Sequence, residues 1–133
     1  MAQRFIRPDG WPAPKGFAYG VLTDERELHL GGLVGWDEEQ VFARGGFLGQ
    51  MEQALRNIVT VVEAAGGTTS DLTRLTWYVT SKTEYMARRE EVGAAYRRVL
   101  DRHFPAMTMV VVGALVEDEA LLEIEATAIL SDG

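Results

Sequence analysis

Cysteine is absent from the 133-residue sequence, and histidine occurs only twice, at His29 and His103. Without cysteine the chain can form no disulfide, no thiolate nucleophile and no zinc site built on sulfur. The two histidines stand far apart in the sequence, whereas a metal centre needs several ligands brought together. We therefore expect no metal site.

Long apolar runs are also missing. No run approaches the roughly 18 apolar residues that a membrane-spanning helix needs. The N-terminal stretch MAQRFIRPDGWPAPKG lacks the apolar segment of a secretory signal. We expect a cytoplasmic protein that makes no membrane contact.

Positive charge is scarce, because 13 basic residues face 20 acidic ones and the net charge is −7. Nucleic-acid binding draws much of its free energy from lysine and arginine that displace counterions, so the charge argues against a nucleic-acid partner. A cluster of arginines stands at helical spacing beside acidic residues, which is typical of a solvated helix face. Its members are Arg88, Arg89, Arg97, Arg98 and Arg102.

The length and the ordinary globular composition, 47% hydrophobic and 25% charged, predict one domain over residues 1–133. The segment up to Gly16 is rich in proline and glycine, which favours turns over regular structure. The stretches FAYGVLTD and ELHLGGLVG then predict two strands joined by a charged turn at residues 24–27.

Two helices and a strand follow. Apolar residues recur at spacings of three and four, which predicts an amphipathic helix that ends at Gly66 and Gly67. They are Phe47, Met51, Ala54, Leu55, Ile58, Val61, Val62 and Ala65. Residues 72–80 alternate as a half-buried strand. Ser81 and Glu84 form a capping-box pattern that starts a second helix, which Pro105 ends. The residues predicted to line one side of this helix are Tyr85, Arg89, Val92, Tyr96, Val99 and His103.

Two closing strands complete an α+β pattern with both helices on one face of the sheet. In the last strand Leu122 and every second residue after it are apolar, which leaves Glu123 and Glu125 on the opposite face. The strand before it, around residues 107–114, is apolar on both faces. Because exposed apolar area costs roughly 25 cal/mol per Å² relative to burial, we expect a second subunit to cover it, and hence a homo-oligomer.

Several segments in this order resemble the RidA (YjgF) family over residues 17–130. They are LHLGGLVG where the family has a strand ending in Ser-Gly-Gln, Gln50 with NIVTVVEAAGG for a helix, LTRLTWYVTS for the central strand, VGAAY for the second helix, and FPAMTMV with EIEATA for the closing strands. The resemblance implies a chorismate-mutase-like fold, a homotrimer with a barrel-like interior, and clefts between subunits.

The resemblance also implies a chemistry, the hydrolysis of reactive enamines and imines such as 2-aminoacrylate, without a metal or organic cofactor. In that chemistry a cleft arginine binds the substrate carboxylate, and a water held by a glutamate and a backbone carbonyl attacks the imine carbon. Here Glu123 matches the family glutamate and Gly32 the cleft glycine. Other cleft positions differ: Phe17 replaces a tyrosine, Gly31 a serine, Gly93 an asparagine, Met109 a cysteine and Met107 the arginine.

Three functions stay open on these residues. In the first, Glu123 positions water or moves a proton, and the apolar wall accepts a bulkier or less acidic enamine or imine. In the second, the trimer binds or senses a small molecule without turnover. The third is the endoribonuclease role attached to the family, against which the negative charge argues. Glu125 is expected to be a structural or interface carboxylate. Trp36, Asp37 and His103 either line the cleft or simply pack.

Overall fold

The computed structural model describes residues 3–24 and 26–131. The strands are β1 (Gln3–Ile6), β2 (Gly20–Thr23), β3 (Glu27–Val34), β4 (Leu72–Val79), β5 (Ala106–Val111) and β6 (Leu122–Ile129). The helices are α1 (Gly46–Ala64), α2 (Lys82–Ala87) and α3 (Arg89–Leu100), with a short 3-10 turn at Thr69–Asp71. The strands form one mixed sheet in the order β1-β2-β3-β6-β4-β5, in which only the β4–β5 pair is parallel.

Helix α1 confirms the predicted stripe, since all eight of its apolar residues are buried. They face β3 and β6, which is where an amphipathic helix gains most of its stability. The chain leaves the helix at Ala65 and turns through Gly66, whose φ of +95° is accessible to glycine at little cost. The predicted glycine stop is therefore confirmed.

The second predicted helix is in fact two helices, so the fold has three α-helices. The backbone leaves the helical region at Arg88 (φ −122°, ψ 25°). Ser81 caps α2 as expected, its Oγ accepting from the Glu84 amide at 3.1 Å. The Glu84 carboxylate instead accepts from Arg88 Nε at 2.8 Å. Helix α3 ends at Leu100, so His103 lies beyond it, and Arg89 is exposed.

The N-terminal segment contains a strand where the sequence favoured turns. Strand β1 pairs with β2, and only Ile6 of its four residues is buried. So short a strand with one buried side chain has no readable alternation. The predicted β2–β3 hairpin is confirmed by its antiparallel register, with Thr23 opposite Glu27. Of the turn predicted at residues 24–27, Glu25 lies outside the described residues.

One face of the sheet is apolar and the other polar along β6, as the alternation of residues in the last strand predicted. Five apolar residues of its alternating row are buried toward the helices: Leu122, Ile124, Ala126, Ala128 and Leu130. The outer face carries Glu123, Glu125 and Thr127, all half-buried. Strand β5, predicted to be buried on both faces, is instead mostly exposed in the single chain, because it is an edge strand paired only with β4. No helix among the described residues is long and apolar enough to cross a membrane.

Candidate functional site

The outer face centres on Glu123, which lies in β6 opposite Val34 of β3 and Tyr78 of β4. Its side chain extends over Gly32. A Cβ added to Gly32 would stand only 2.0 Å from Glu123 Oε2 and 2.8 Å from its carboxyl carbon. Glycine at this position therefore provides the space in which the carboxylate lies.

The electrostatic surroundings favour a protonated Glu123. Burial raises the pKa of the Glu123 carboxyl above its ordinary value, and the neighbouring charge of Glu125 raises it further. Within residues 3–24 and 26–131 the Glu123 carboxylate has no hydrogen bond or ion pair. Its oxygens are thus available to a water molecule or a ligand. A raised pKa makes a carboxyl a better candidate for proton transfer than an exposed carboxylate.

Glu125, two residues further along the same face, has a different environment. Its Oε1 accepts a short hydrogen bond of 2.5 Å from the Tyr78 hydroxyl. This hydrogen bond is the main cause that raises the pKa of Tyr78. Glu125 is therefore held by a protein partner, which agrees with the structural role expected from the sequence.

Two buried side-chain amides of α1 hold backbone segments close to Glu123, one before β6 and one at the end of β3. Gln50 Nε2 donates to the Glu119 carbonyl at 3.0 Å and its Oε1 accepts from the Leu121 amide at 2.8 Å. Asn57 Nδ2 donates to the carbonyls of Val34 at 3.0 Å and Trp36 at 2.7 Å. No role for these two amides was predicted from the sequence. The sequence feature that could have indicated such a role is a polar residue beside the buried apolar stripe of a helix, because a buried amide needs hydrogen-bond partners.

A second part of the candidate site is a cavity of about 200 Å³ on the helix-facing side of the sheet, at the β5 edge. We call it the methionine cavity. It brings together Gly93, Met107 and Met109 of the predicted cleft. Four aromatic side chains, one arginine and one valine complete its lining: Trp77, Tyr85, Tyr96, Phe104, Arg89 and Val92.

The two parts lie on opposite faces of the sheet. Met107 pairs with Leu75 and Met109 with Trp77, both buried toward the helices, whereas Glu123 pairs with Tyr78 on the outer face. Neighbouring residues of a sheet row share a face, so these side chains cannot meet within one chain. The structure thus brings Gly32 to Glu123, and separately Gly93 to the methionines.

Gly31 and Phe17 lie near the first part. The Gly31 amide donates to the Tyr19 carbonyl at 2.9 Å, and a Cβ on Gly31 would stand 2.9 Å from the Ala18 carbonyl oxygen. Phe17 is exposed and packs edge-to-face on Tyr19, with ring centroids 5.2 Å apart. It lines an apolar groove of about 460 Å³ with Phe5, Ile6 and Pro14.

The three residues whose position was left open have local partners. Asp37 Oδ1 accepts from the amides of Glu39 at 2.9 Å and Val41 at 3.0 Å, which closes a turn. Trp36 packs on Phe42. His103 Nε2 lies 2.7 Å from the Leu72 carbonyl oxygen. None of them lines the methionine cavity. In the described part of the chain no group of three His, Asp or Glu side chains is arranged to hold a metal ion.

The fold, a mixed sheet with helices on one face and a carboxylate on the other, is that of the chorismate-mutase-like α+β class. Residues 12–130 match the model of the family described as endoribonuclease L-PSP. The chain belongs to this family, which is the RidA family that the sequence motifs resembled.

Solved structures of similar proteins have the same fold as this chain. The crystal structure of RidA from an Antarctic Psychrobacter is 26% identical, covers 96% of this chain and 99% of its own, and has a TM-score of 0.82. YyfA of the Rid family from Yersinia pestis is 24% identical over 97% of this chain and 100% of its own, with a TM-score of 0.82. Escherichia coli TdcF, solved with bound serine, is 23% identical over 96% and 99%, with a TM-score of 0.81.

Proposed function

We propose that this protein is a cofactor-independent enamine/imine deaminase that works as a homotrimer and uses Glu123 as its water-positioning and proton-transfer group. The observation that carries the proposal is the half-buried Glu123 carboxyl, which has a raised pKa, lies over Gly32 and has no protein partner in the described chain. A carboxyl in this state costs stability, and such a cost is typical of functional sites.

The separation of the two parts supports an assembly of several subunits, which we propose to be a trimer. Glu123 and the methionine cavity cannot meet within one chain, but they can meet where the β5 edge of one subunit contacts the outer face of another. Strand β5 and its neighbourhood expose several large apolar side chains, an edge that a partner would cover. They are Phe104, Met107, Val110, Val111 and Val116. Each cleft would then take Glu123 from one subunit and the methionines from its neighbour.

The proposed reaction needs only water. An enamine first accepts a proton on carbon and loses one from nitrogen, which gives the neutral imine. The water oxygen then bonds to the imine carbon, the C=N pair moves to nitrogen, and a proton from water passes through Glu123 to that nitrogen. The hydroxyl proton of the resulting carbinolamine then passes through Glu123 to the nitrogen as the C–N bond breaks, so that ammonia leaves and the C=O bond forms. One water is consumed and one ammonia released for each imine.

The substrate is bulkier or less acidic than 2-aminoacrylate. Met107 stands where the family places its carboxylate-binding arginine, and a thioether cannot form a bidentate charged pair. Met107 and Met109 instead contribute flexible apolar surface, which fits irregular apolar groups. The net charge of −7 argues against an endoribonuclease, because such an enzyme must attract a polyanion.

Ammonia release tests the proposal. The purified protein is given freshly generated 2-aminoacrylate and a panel of bulkier enamines and imines, alongside Glu123→Gln and the control Glu125→Gln. We expect turnover of a bulky substrate, a loss of about a hundredfold or more in Glu123→Gln, and a much smaller loss in Glu125→Gln. Met107→Arg should gain activity on 2-aminoacrylate.

No turnover of any substrate by the native protein, with 2-aminoacrylate hydrolysis only in Met107→Arg, would overturn the proposal. The trimer would then be a small-molecule-binding or regulatory protein. Equal activity of Glu123→Gln and the native protein would remove Glu123 from the mechanism.

A further inference from the structure

We propose that Arg89 of α3 supplies the carboxylate-binding charge of the methionine cavity, and that the cavity takes a carboxylate that carries an aromatic ring. This inference deepens the proposed function, because it names the part of the substrate that this half of the cleft binds. Its first basis is position. Arg89 is the one charged residue among those that line the cavity, alongside Met107 and Met109.

Arg89 is also available to a ligand. Its neighbour Arg88 is engaged, donating to Glu84 at 2.8 Å and lying 3.8 Å from Glu91. In the described chain, no acidic side chain is within ion-pair distance of Arg89. The break between α2 and α3 at Arg88 separates these two arginines, so that one pairs with the acidic residues of its own helices and the other lines the cavity.

The aromatic part of the cavity lining suits a planar ring. The rings of Trp77 and Tyr96 lie 6.5 Å apart and those of Tyr96 and Phe104 lie 5.3 Å apart at an interplanar angle of 8°. Gly93, one helical turn after Arg89, presents no side chain to the cavity. A volume of about 200 Å³ is enough for a single substituted ring, since an apolar cavity of about 150 Å³ binds benzene.

Charge and shape together select the ligand. An arginine beside aromatic and thioether surface binds a carboxylate through its guanidinium while the ring packs on the wall. An aryl-substituted 2-imino acid, or the 2-oxo acid that it becomes, has both groups.

Binding of phenylpyruvate, a stable aryl 2-oxo acid, tests the inference without requiring turnover. Calorimetry would compare the native protein, Arg89→Gln and the matched control Arg88→Gln, each with phenylpyruvate and with its uncharged methyl ester. We expect Arg89→Gln to weaken phenylpyruvate binding on the order of ten- to a hundredfold. Arg88→Gln should change it by less than about threefold, since it is an exposed ion-pair arginine. Neither variant should change ester binding.

Equal losses in the two arginine variants would overturn the inference, as would native protein that binds the ester as tightly as the acid or binds neither. Glu123→Gln separates the inference from the proposed function. If Glu123→Gln abolishes turnover but Arg89→Gln leaves the KM of an aryl imino acid unchanged, the inference fails and the deaminase stands. If phenylpyruvate binds through Arg89 and no substrate is turned over, the deaminase fails and the binding site stands.

Discussion

The helix-facing side of β6 is closed, whereas its outer side is open. Leu122, Ile124 and Ala128 are fully buried under the helices, and α1 and β3 of the same chain supply their contacts. The outer residues Glu123 and Glu125 are half-buried and lie on the face of the sheet opposite the buried row. The closed side is therefore explained by one chain, whereas the polar groups of the open side stay accessible to solvent, a ligand or another subunit.

The two outer carboxylates show the same contrast at close range. Glu125 accepts a hydrogen bond from Tyr78, whereas Glu123 lies over Gly32, has no hydrogen-bond partner among the described residues and has a raised pKa. Two carboxyl groups of one strand thus have different chemistry because their surroundings differ. Assigning catalysis to Glu123 and structure to Glu125 rests on this difference.

The largest effect is expected from a substitution that prevents another subunit from binding to the open side of the sheet. Val110→Asp places a charge on the exposed outer face of β5, where burial in an interface would cost several kcal/mol. We expect sedimentation velocity to show monomers in place of trimers, and ammonia release to disappear because the two cleft halves separate. Val41→Asp, at an exposed valine in a loop, should leave the trimer intact. A trimeric Val110→Asp protein would place the interface elsewhere.

A smaller effect is expected from Gly32→Ala. The new methyl group would overlap Glu123 Oε2, and the flexible carboxylate end can move away without disturbing the backbone. We expect the protein to fold and kcat to fall about ten- to a hundredfold, because a displacement of about 1 Å costs this much in an aligned site. Gly113→Ala, whose added Cβ has nothing within 4 Å, is the matched control.

A double variant sharpens this result. In a Glu123→Gln background, Gly32→Ala should cause little further loss, since both changes act on the same carboxylate. Independent, additive losses would mean that Gly32 serves the reaction through its own backbone and not through the space that it leaves for Glu123.

The sequence predicted the closed side well because burial within one chain leaves a periodic record. The stripe of α1 and the alternation of β6 were both confirmed residue by residue. Strand β1 was missed because only Ile6 records its burial. The break at Arg88 was missed because neither glycine nor proline marks it, and a change in backbone angles at one residue separates α2 from α3.

The candidate site was harder to predict because it depends on register. Glu123, Met107 and Met109 were assigned to one cleft by resemblance, and nothing in their local sequences states which face each occupies. That follows from the pairing of β4 with both β5 and β6, a long-range property that a shift of one residue would reverse. Arg89 was assigned both to a solvated arginine cluster and to the stripe of the second helix, and its place in a cavity depends on the packing of α3 against β4 and β5.

The smallest expected effect is on stability, and it tests the state of Glu123 directly. Because the folded-state pKa is raised above the ordinary value of 4.5, the folded protein binds the proton more tightly than the unfolded chain does. Stability from this group is therefore fully present below pH 4.5 and lost as pH rises through the folded-state pKa.

The Glu123→Gln variant has no carboxyl at this position, so its stability does not show this loss as pH rises. At fixed protomer concentration, urea unfolding should find the variant equal to the native protein at pH 3.5, after allowance for the amide. At pH 8 the variant should be more stable by less than about 1 kcal/mol, since the carboxyl is only half-buried. A variant that is less stable than the native protein at pH 8 would contradict this expectation. It would indicate that a cation of another subunit pairs with the ionised Glu123 carboxylate and that this ion pair covers the open side of the sheet in the assembly.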